Sequence, residues 1–370
     1  MRGAMIKSPG DHIPVVARAF YQELNIALQI KVITLTMKKI ILLLLAAAFI
    51  ATAANAQHLG TQYRLKKVVE VPGRQGIAAD KDYFYVSDTR GIYKFDRNWN
   101  LVKKRVQTKD KDGKFIDPLF QQPDKANHFG DIDVYDGKIY TGNEYFNLGR
   151  GHNISVDIYD ANTLEYIESI PWRSESGQVE VSGVAVDRER NLVWLSDWVD
   201  SRYVYAYSLE TKQYYTKVQC RPEPYWCQGI FIADGKMLLA ADDGESTYHI
   251  ADNVYVMDIT GAPYTGLVQG TEPVKKSPWE VETDKKGKVV KRTGEIAGGA
   301  MGGRVELFRE MTDFRRAGEI EGLCIDPVTD DLLVLNNRGT QIILGMSQGP
   351  FAGEGYTKEI HEVYIYEKVK

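Results

Sequence analysis

Five stretches of the chain share one alternation of apolar and polar positions. Each opens on a glycine and a short run that is apolar at nearly every place: Gln75-Gly76-IAAD, Phe129-Gly130-DIDV, Ser182-Gly183-VAVD, Gln228-Gly229-IFIA and Glu321-Gly322-LCID. A turn with Asp, Gly or Asn follows, then a second apolar run: YFYVSD, KIYTGNE, LVWLSD, KMLLAADD and LLVLNN. The third run is rich in aromatics (GIYKFD, SVDIYD, YVYAYS, NVYVMD, EVYIYE), and the fourth is more polar, as in LVKKRV, YIESI and YYTKV. Short β-branched and aromatic runs between such turns predict strands, and their recurrence predicts a repeat architecture. A first strand without a polar face and a last strand that is half polar suit a radial arrangement, in which the first lies innermost and the last meets water. The expected fold is therefore all-β, a β-propeller of four-stranded blades around a central channel.

The chain ends complete the count. HEVYIYEKV at the C-terminus is a third strand without a fourth, and YRLKKVVEV at Tyr63–Val71 is a fourth without a blade. Pairing the two would close the ring and leave no free edge. Gly76, Gly130, Gly183 and Gly229 are nearly evenly spaced, but Gly322 follows after about twice that interval. Two readings account for the gap: a sixth blade, or five blades with an insertion at about 273–319. The insertion holds a charged hairpin-like piece, VETDKKGKVVKR, a Gly-rich GGAMGG, and RVELFREMTDFRR, in which Leu307, Phe308, Met311 and Phe314 recur at helical spacing.

Ahead of the repeats stands a different pattern. From Met37 the chain reads MKKIILLLLAAAFIATAANAQ, a basic start, an apolar core and a small-x-small site at Ala54-Asn55-Ala56. That is the layout of a cleavable signal peptide over 37–56, with Gln57 as the mature start. The apolar run is shorter than the roughly 20 residues that span a bilayer, so no stable membrane span is expected in the mature protein. Residues 1–36 would bury the signal inside the chain and read as a misannotated upstream extension, which leaves 57–370 as one propeller domain in the periplasm or secreted. The whole chain carries a net charge of −4 and its first 56 residues are basic, so the remainder is more acidic still. This disfavours a nucleic-acid partner, which needs clustered cations for the phosphate backbone. Cys220 and Cys227 in QCRPEPYWC admit two readings, a disulfide or two small buried side chains, whereas Cys324 in GLCID reads as core.

The repeat also locates candidate chemistry. In an antiparallel blade the residues just before strand one and just after strand two share one end. The first set is Gln75, His128 with Phe129, Ser182, Gln228 and Glu321. The second is Asp88, Asn143 with Glu144 and Tyr145, Asp197 with Trp198, Asp242 with Asp243, and Asn336 with Asn337 and Arg338. Carboxylates converging on one mouth repel unless a cation, a basic residue such as Arg338, or a polar ligand offsets them. Asp and Asn after a strand also cap their own turns, the plainer account of any one of them. Trp198, Tyr145, Trp226 and Tyr225 add aromatic faces on which the apolar face of a sugar stacks while its hydroxyls bond polar neighbours. His128, the only histidine of the inner set, is the general-base candidate, with Glu321 as the other catalytic candidate.

At QGIAADKDYFYVSDTRGIYKFD and EGLCIDPVTDDLLVLNNRG the chain resembles the gluconolactonase-like, NHL-type and strictosidine-synthase-like propellers, over the repeated strands of most of residues 57–370. The lactonase-like members hold a divalent cation, typically calcium, on acid and amide side chains at the starts of innermost strands. The resemblance implies Glu321, with Gln75 and Gln228, as matching places, while Ser182 and Phe129 depart from the pattern. The expected function is binding of a small polar, carbohydrate-derived ligand by Gln75, Asp88, Glu144, Asp197, Trp198, Gln228, Asp242, Asn336 and Arg338. The alternatives are a metal-dependent hydrolase or lactonase with Glu321 on calcium or another divalent cation, and a protein-interaction scaffold. Oligomeric state is left open.

Overall fold

The computed structural model describes residues 37–38, 57–106, 111–112, 126–243, 251–259, 281–283, 289–292, 303–314, 318–338 and 359–369. The remainder of the signal segment, residues 1–36 and GGAMG at 298–302 lie outside the described residues. Gln57–Lys370 forms one compact unit.

Among the described residues, that unit is a propeller with five blades. Blade one is β2 (Gly76–Ala79), β3 (Tyr83–Asp88), β4 (Gly91–Asp96) and β5 (Leu101–Val106), after a leading strand β1 (Tyr63–Val71). Blade two is β6 (His128–Tyr135), β7 (Lys138–Asn147), β8 (Arg150–Asp160) and β9 (Tyr166–Pro171). Blade three is β10 (Val184–Asp187), β11 (Leu192–Leu195), β12 (Tyr203–Ser208) and β13 (Tyr214–Arg221). Blade four is β14 (Cys227–Ala233), β15 (Lys236–Ala241) and β16 (Asn253–Asp258), followed in the chain by a separate hairpin, β17 (Val281–Thr283) with β18 (Val289–Arg292), and then by the fourth strand β19 (Gly303–Glu310). Blade five is β20 (Glu319–Ile325), β21 (Leu332–Arg338) and β22 (Ile360–Lys368), and β1 pairs antiparallel with β22 from Tyr63↔Lys368 to Val71↔His361 as its outer strand. The ring thus closes through its two chain ends, as their patterns predicted.

The structure corrects one reading and settles two points that the sequence left open. The stretch read as helical, RVELFREMTDFRR, begins as a strand, because β19 pairs along β16 from Asn253↔Glu310 to Met257↔Val305. Its apolar spacing has a tertiary origin: Met311 is buried just past the strand, Phe308 and Phe314 pack on the core cluster shared by blades four, five and one, and Leu307 points to solvent. Blades three and four also join at their rims, where β13 and β19 pair in parallel at Cys220↔Gly303 and Arg221↔Arg304. Finally, Cys220, Cys227 and Cys324 are all free and buried, so the first two serve as small core side chains.

The innermost strands β2, β6, β10, β14 and β20 neighbour one another in a closed cycle, and the opening glycines make that approach possible. A Cβ on Gly229 would stand 2.6 Å from the Cα of Gly322, and one on Gly322 would stand 2.6 Å from the Cα of Gly76. Asp131 of β6 fills the axis itself. Its carboxylate accepts from the backbone N–H of Ile132 (2.8 Å) and, across the ring, of Ile230 (3.2 Å), and it abuts Gly76 and Gly322. Burial raises the Asp131 carboxyl well above its usual range, against the lowering effect of these N–H bonds. Two residues on, Asp133 pairs with Arg188 at 2.9 Å. Along β6, Asp131 and the Asp133–Arg188 pair thus put polar groups where the innermost strands converge.

The apolar core lies between blades rather than within one. Small residues such as Ala78 and Ala185 sit near the axis, while fully buried Tyr159, Tyr205, Tyr207, Tyr364 and Tyr366 fill the wider gaps farther out. Spokes diverge with radius, so the third strands need larger side chains to keep native packing density. This accounts for the aromatic third-strand pattern.

Gly322→Ala is expected to destabilise the fold by about 3 kcal/mol or to prevent folding, since its Cβ would collide with the Gly76 backbone and the buried, hydrogen-bonded Asp131 carboxylate. Gly137→Ala, at an exposed φ of +69° with open space around it, should cost only about 1 kcal/mol for its left-handed backbone. Urea unfolding of the two variants compares them, and equal, small losses would contradict a crowded axis.

Candidate functional site

The two sets of polar residues meet at one end of each blade. His128 faces Glu144 across the β6–β7 ladder and Glu319 faces Asn337 across β20–β21. Gln75 N–H donates to the Ser87 carbonyl at 3.0 Å, and Asp242 N–H to the Trp226 carbonyl at 3.1 Å. Contacts then run from blade to blade around this end. Phe129 N–H donates to the Thr89 carbonyl (2.9 Å), Val181 N–H to Glu144 Oε2 (3.0 Å), and Gln228 Nε2 to Glu319 Oε1 (2.5 Å).

Over blades two to four lies a dense group. Glu144 is fully buried; Gly151, whose missing Cβ leaves room for its carboxylate, and Val181 N–H hold Oε2 in place. Oε1 lies 3.4 Å from Nδ1 of His128, and neither atom has a hydrogen-bond partner. Glu180 stands beside Glu144 and accepts from the Trp198 backbone N–H at 2.6 Å. Desolvation first, then the charges of Glu144 and Asp197, raise its carboxyl well above the usual range. Asp197 accepts from the N–H groups of Val179 (2.9 Å), Glu180 (3.2 Å) and Asp200 (2.8 Å), and burial nonetheless raises it. The capping reading of Asp197 is thus correct in geometry, yet the cap sits within a carboxylate cluster. An aromatic wall adjoins it: Trp198 and Trp226 stack at 6.4 Å and 25°, Phe146 meets Trp198 edge-on at 6.4 Å, and Tyr225 lies 6.2 Å from Trp226. Trp198 Nε1–H is buried without an acceptor.

A second group lies over blades four, five and one. Glu321 is buried and accepts from Asn337 Nδ2 at 2.7 Å, and His361 Nδ1 lies 2.9 Å from Asn337 Oδ1. Desolvation, then the charge of Asp242, pushes Glu319 up to about 8, with Arg74 opposing. Burial and the charge of Glu319 raise Glu321 likewise. Arg74 also acts on Asp88, which burial raises and which lies within reach of the His128 charge. Asn336 is buried with neither amide atom hydrogen-bonded.

Arg338 is buried and pairs with Glu362 at 3.3 Å, opposite Asn336 across β21–β22, and the charge of Arg74 reaches Glu319 and Glu321. Gln75 is buried with its amide on the Arg74 carbonyl at 3.3 Å, and Gln228 is engaged by Glu319. Glu321, Gln75 and Gln228, the set implied by resemblance, thus each make an internal hydrogen bond, the two glutamines through their Nε2 donors. Among the described residues, His128, Glu144 and Glu180 form a group that could hold a metal ion, with ligand atoms within 4.8 Å of one another.

Glu180 and Glu319 went unnoticed in the sequence, although each stands three residues before an opening glycine, Gly183 or Gly322. Looking two residues back from Ser182 and Glu321 in the sequence finds both.

No protein-family model and no curated protein matches the sequence. Among solved structures, the chain is similar to the crystal structure of Myxococcus xanthus glutaminyl cyclase, with a TM-score of 0.43 and 9% identity over 83% of this chain and 97% of that one. So distant a likeness carries nothing about activity.

Glu319 yields a pH prediction. Its folded-state value is raised above the unfolded one, so the associated stability is fully present below the unfolded value of about 4.5 and is lost as pH rises through about 8. Glu319→Gln, which keeps the oxygen that Gln228 donates to, should raise the melting temperature at pH 9 by a few degrees, with the gain fading towards pH 5. An unchanged difference across that range would contradict a carboxyl forced to ionise in place.

Proposed function

We propose that this protein binds a small polar, carbohydrate-derived ligand at the mouth over blades two to four. The observation that carries the reading is the Trp198–Trp226 wall beside buried carboxylates, with the Trp198 indole N–H facing no acceptor. A buried donor without a partner costs about 1–3 kcal/mol, and a ligand hydroxyl would recover that while its C–H face stacks on the rings. Asp197 and Glu180 are the acceptors for further hydroxyls. Export by a signal over residues 37–56 belongs to the same proposal, and the intact mass of the mature protein should begin at Gln57.

A second reading, hydrolysis of a sugar lactone or glycoside, is favoured by one observation, the His128 ring beside the buried Glu144 carboxylate. Were the pair to close from 3.4 Å to hydrogen-bond distance, the carboxylate would orient the imidazole and strengthen it as a base.

Tryptophan fluorescence during titration with a panel of sugars and sugar acids tests the main reading. A saturable change is expected, at least about tenfold weaker in Trp226→Ala, where a stacking face is lost. If Trp198→Phe and Trp226→Ala leave every ligand-induced melting shift unchanged, the site is wrong.

A further inference from the structure

We infer that His128, Glu144 and Glu180 form a site for one divalent transition-metal ion, Zn²⁺ or Mn²⁺. One imidazole nitrogen and two carboxylate oxygens lie within 4.8 Å of one another, a span that metal–ligand bonds of about 2.0–2.2 Å can draw together. Proximity alone would not carry this, since acidic side chains often cluster without an ion. The second observation is an orphan pair of atoms. Glu144 is completely buried, its Oε2 is occupied by Val181 N–H, and its Oε1 is aimed at His128 Nδ1, which likewise lacks a hydrogen-bond partner. Buried polar atoms are ordinarily satisfied, and a cation satisfies both at once while screening Glu144 from Glu180.

The protein also holds these groups in place without the ion. Gly151 leaves room for the Glu144 carboxylate, and the Trp198 N–H fixes Glu180 Oε2 at 2.6 Å. Donor chemistry selects the metal class: calcium favours shells of six to eight oxygens, whereas a nitrogen with two carboxylates suits zinc or manganese. Three protein ligands leave at least one coordination position for water or a ligand oxygen, the arrangement of a reactive rather than a structural metal. The site stands whether or not a sugar-like ligand binds, and it differs in place and chemistry from the one at Glu321 that family resemblance implied.

The test is metal binding itself. The folded protein from Gln57 onward, stripped with chelator, is titrated with Zn²⁺, Mn²⁺ and Ca²⁺ by calorimetry, with bound metal counted by elemental analysis. The expected result is one equivalent of Zn²⁺ or Mn²⁺, a melting temperature raised by several degrees, and weak Ca²⁺ binding. Glu144→Gln and Glu180→Gln should weaken binding about tenfold or more, and Glu321→Gln should leave it unchanged. Gly151→Ala, which displaces the Glu144 carboxylate and keeps every ligand, should also weaken it, so a folding defect in one variant does not decide the matter. Absence of saturable binding to folded protein, or equal binding by wild type and all four variants, overturns the site and assigns the Glu144–Glu180 contact to a shared proton. Sugar binding, which shares Glu180 with this site, is read separately by the fluorescence titration of wild-type protein.

Discussion

The structure depends on how closely five backbones can approach one axis. Neighbouring inner strands meet at distances that exclude even a methyl group: Gly229 against Gly322, and Gly322 against Gly76. With the strands so near, a single side chain suffices to fill the centre, and Asp131 does so while accepting backbone N–H groups from its own blade and from β14. The carboxylate acts as a polar hub where an apolar side chain would leave converging N–H groups unpaired. Asp133, Val186 N–H and Arg188 repeat the device farther along the axis. Blade spacing, and with it the taper from alanine to tyrosine between blades, follows from that contact.

The mouth inherits its chemistry from the same constraint. Because the inner strands converge, the segments preceding them converge too, and side chains distant in sequence are forced into one buried rim. Carboxylates there are held by backbone N–H groups and amides more than by cations: Asp197 by Val179, Glu180 and Asp200, and Glu321 by Asn337. Removing such groups from water costs free energy unless paired, and their upward shifts record what the hydrogen bonds do not offset. The rim divides in two. One half joins an imidazole to carboxylates beside an aromatic wall, and the other surrounds a carboxyl pair with amides and the charge of Arg74. Among the described residues the first half combines orphan polar atoms with stacking surface, which is why binding is proposed there.

Much of this was legible along the chain. The five glycine-led repeats, the four-strand order and the closure of β1 on β22 are set by local alternation and turn residues, which act over a few positions and survive without tertiary context. The alignment of His128 with Glu144 follows from the same alternation. Nonlocal contacts decided the rest. RVELFREMTDFRR carries helical spacing, yet the free edge of β16 offered a row of hydrogen bonds that outweighed it. Arg338 looked available to the mouth but found Glu362 on the adjacent strand. Asp131 read as one polar position in an apolar strand, and only the closed ring makes it the axis. Sequence determined which residues form strands and which end of each blade is polar, because periodicity is local. Tertiary structure decided which of those polar groups are buried, paired or left without a partner, because that depends on what a neighbouring blade brings to within a few ångströms.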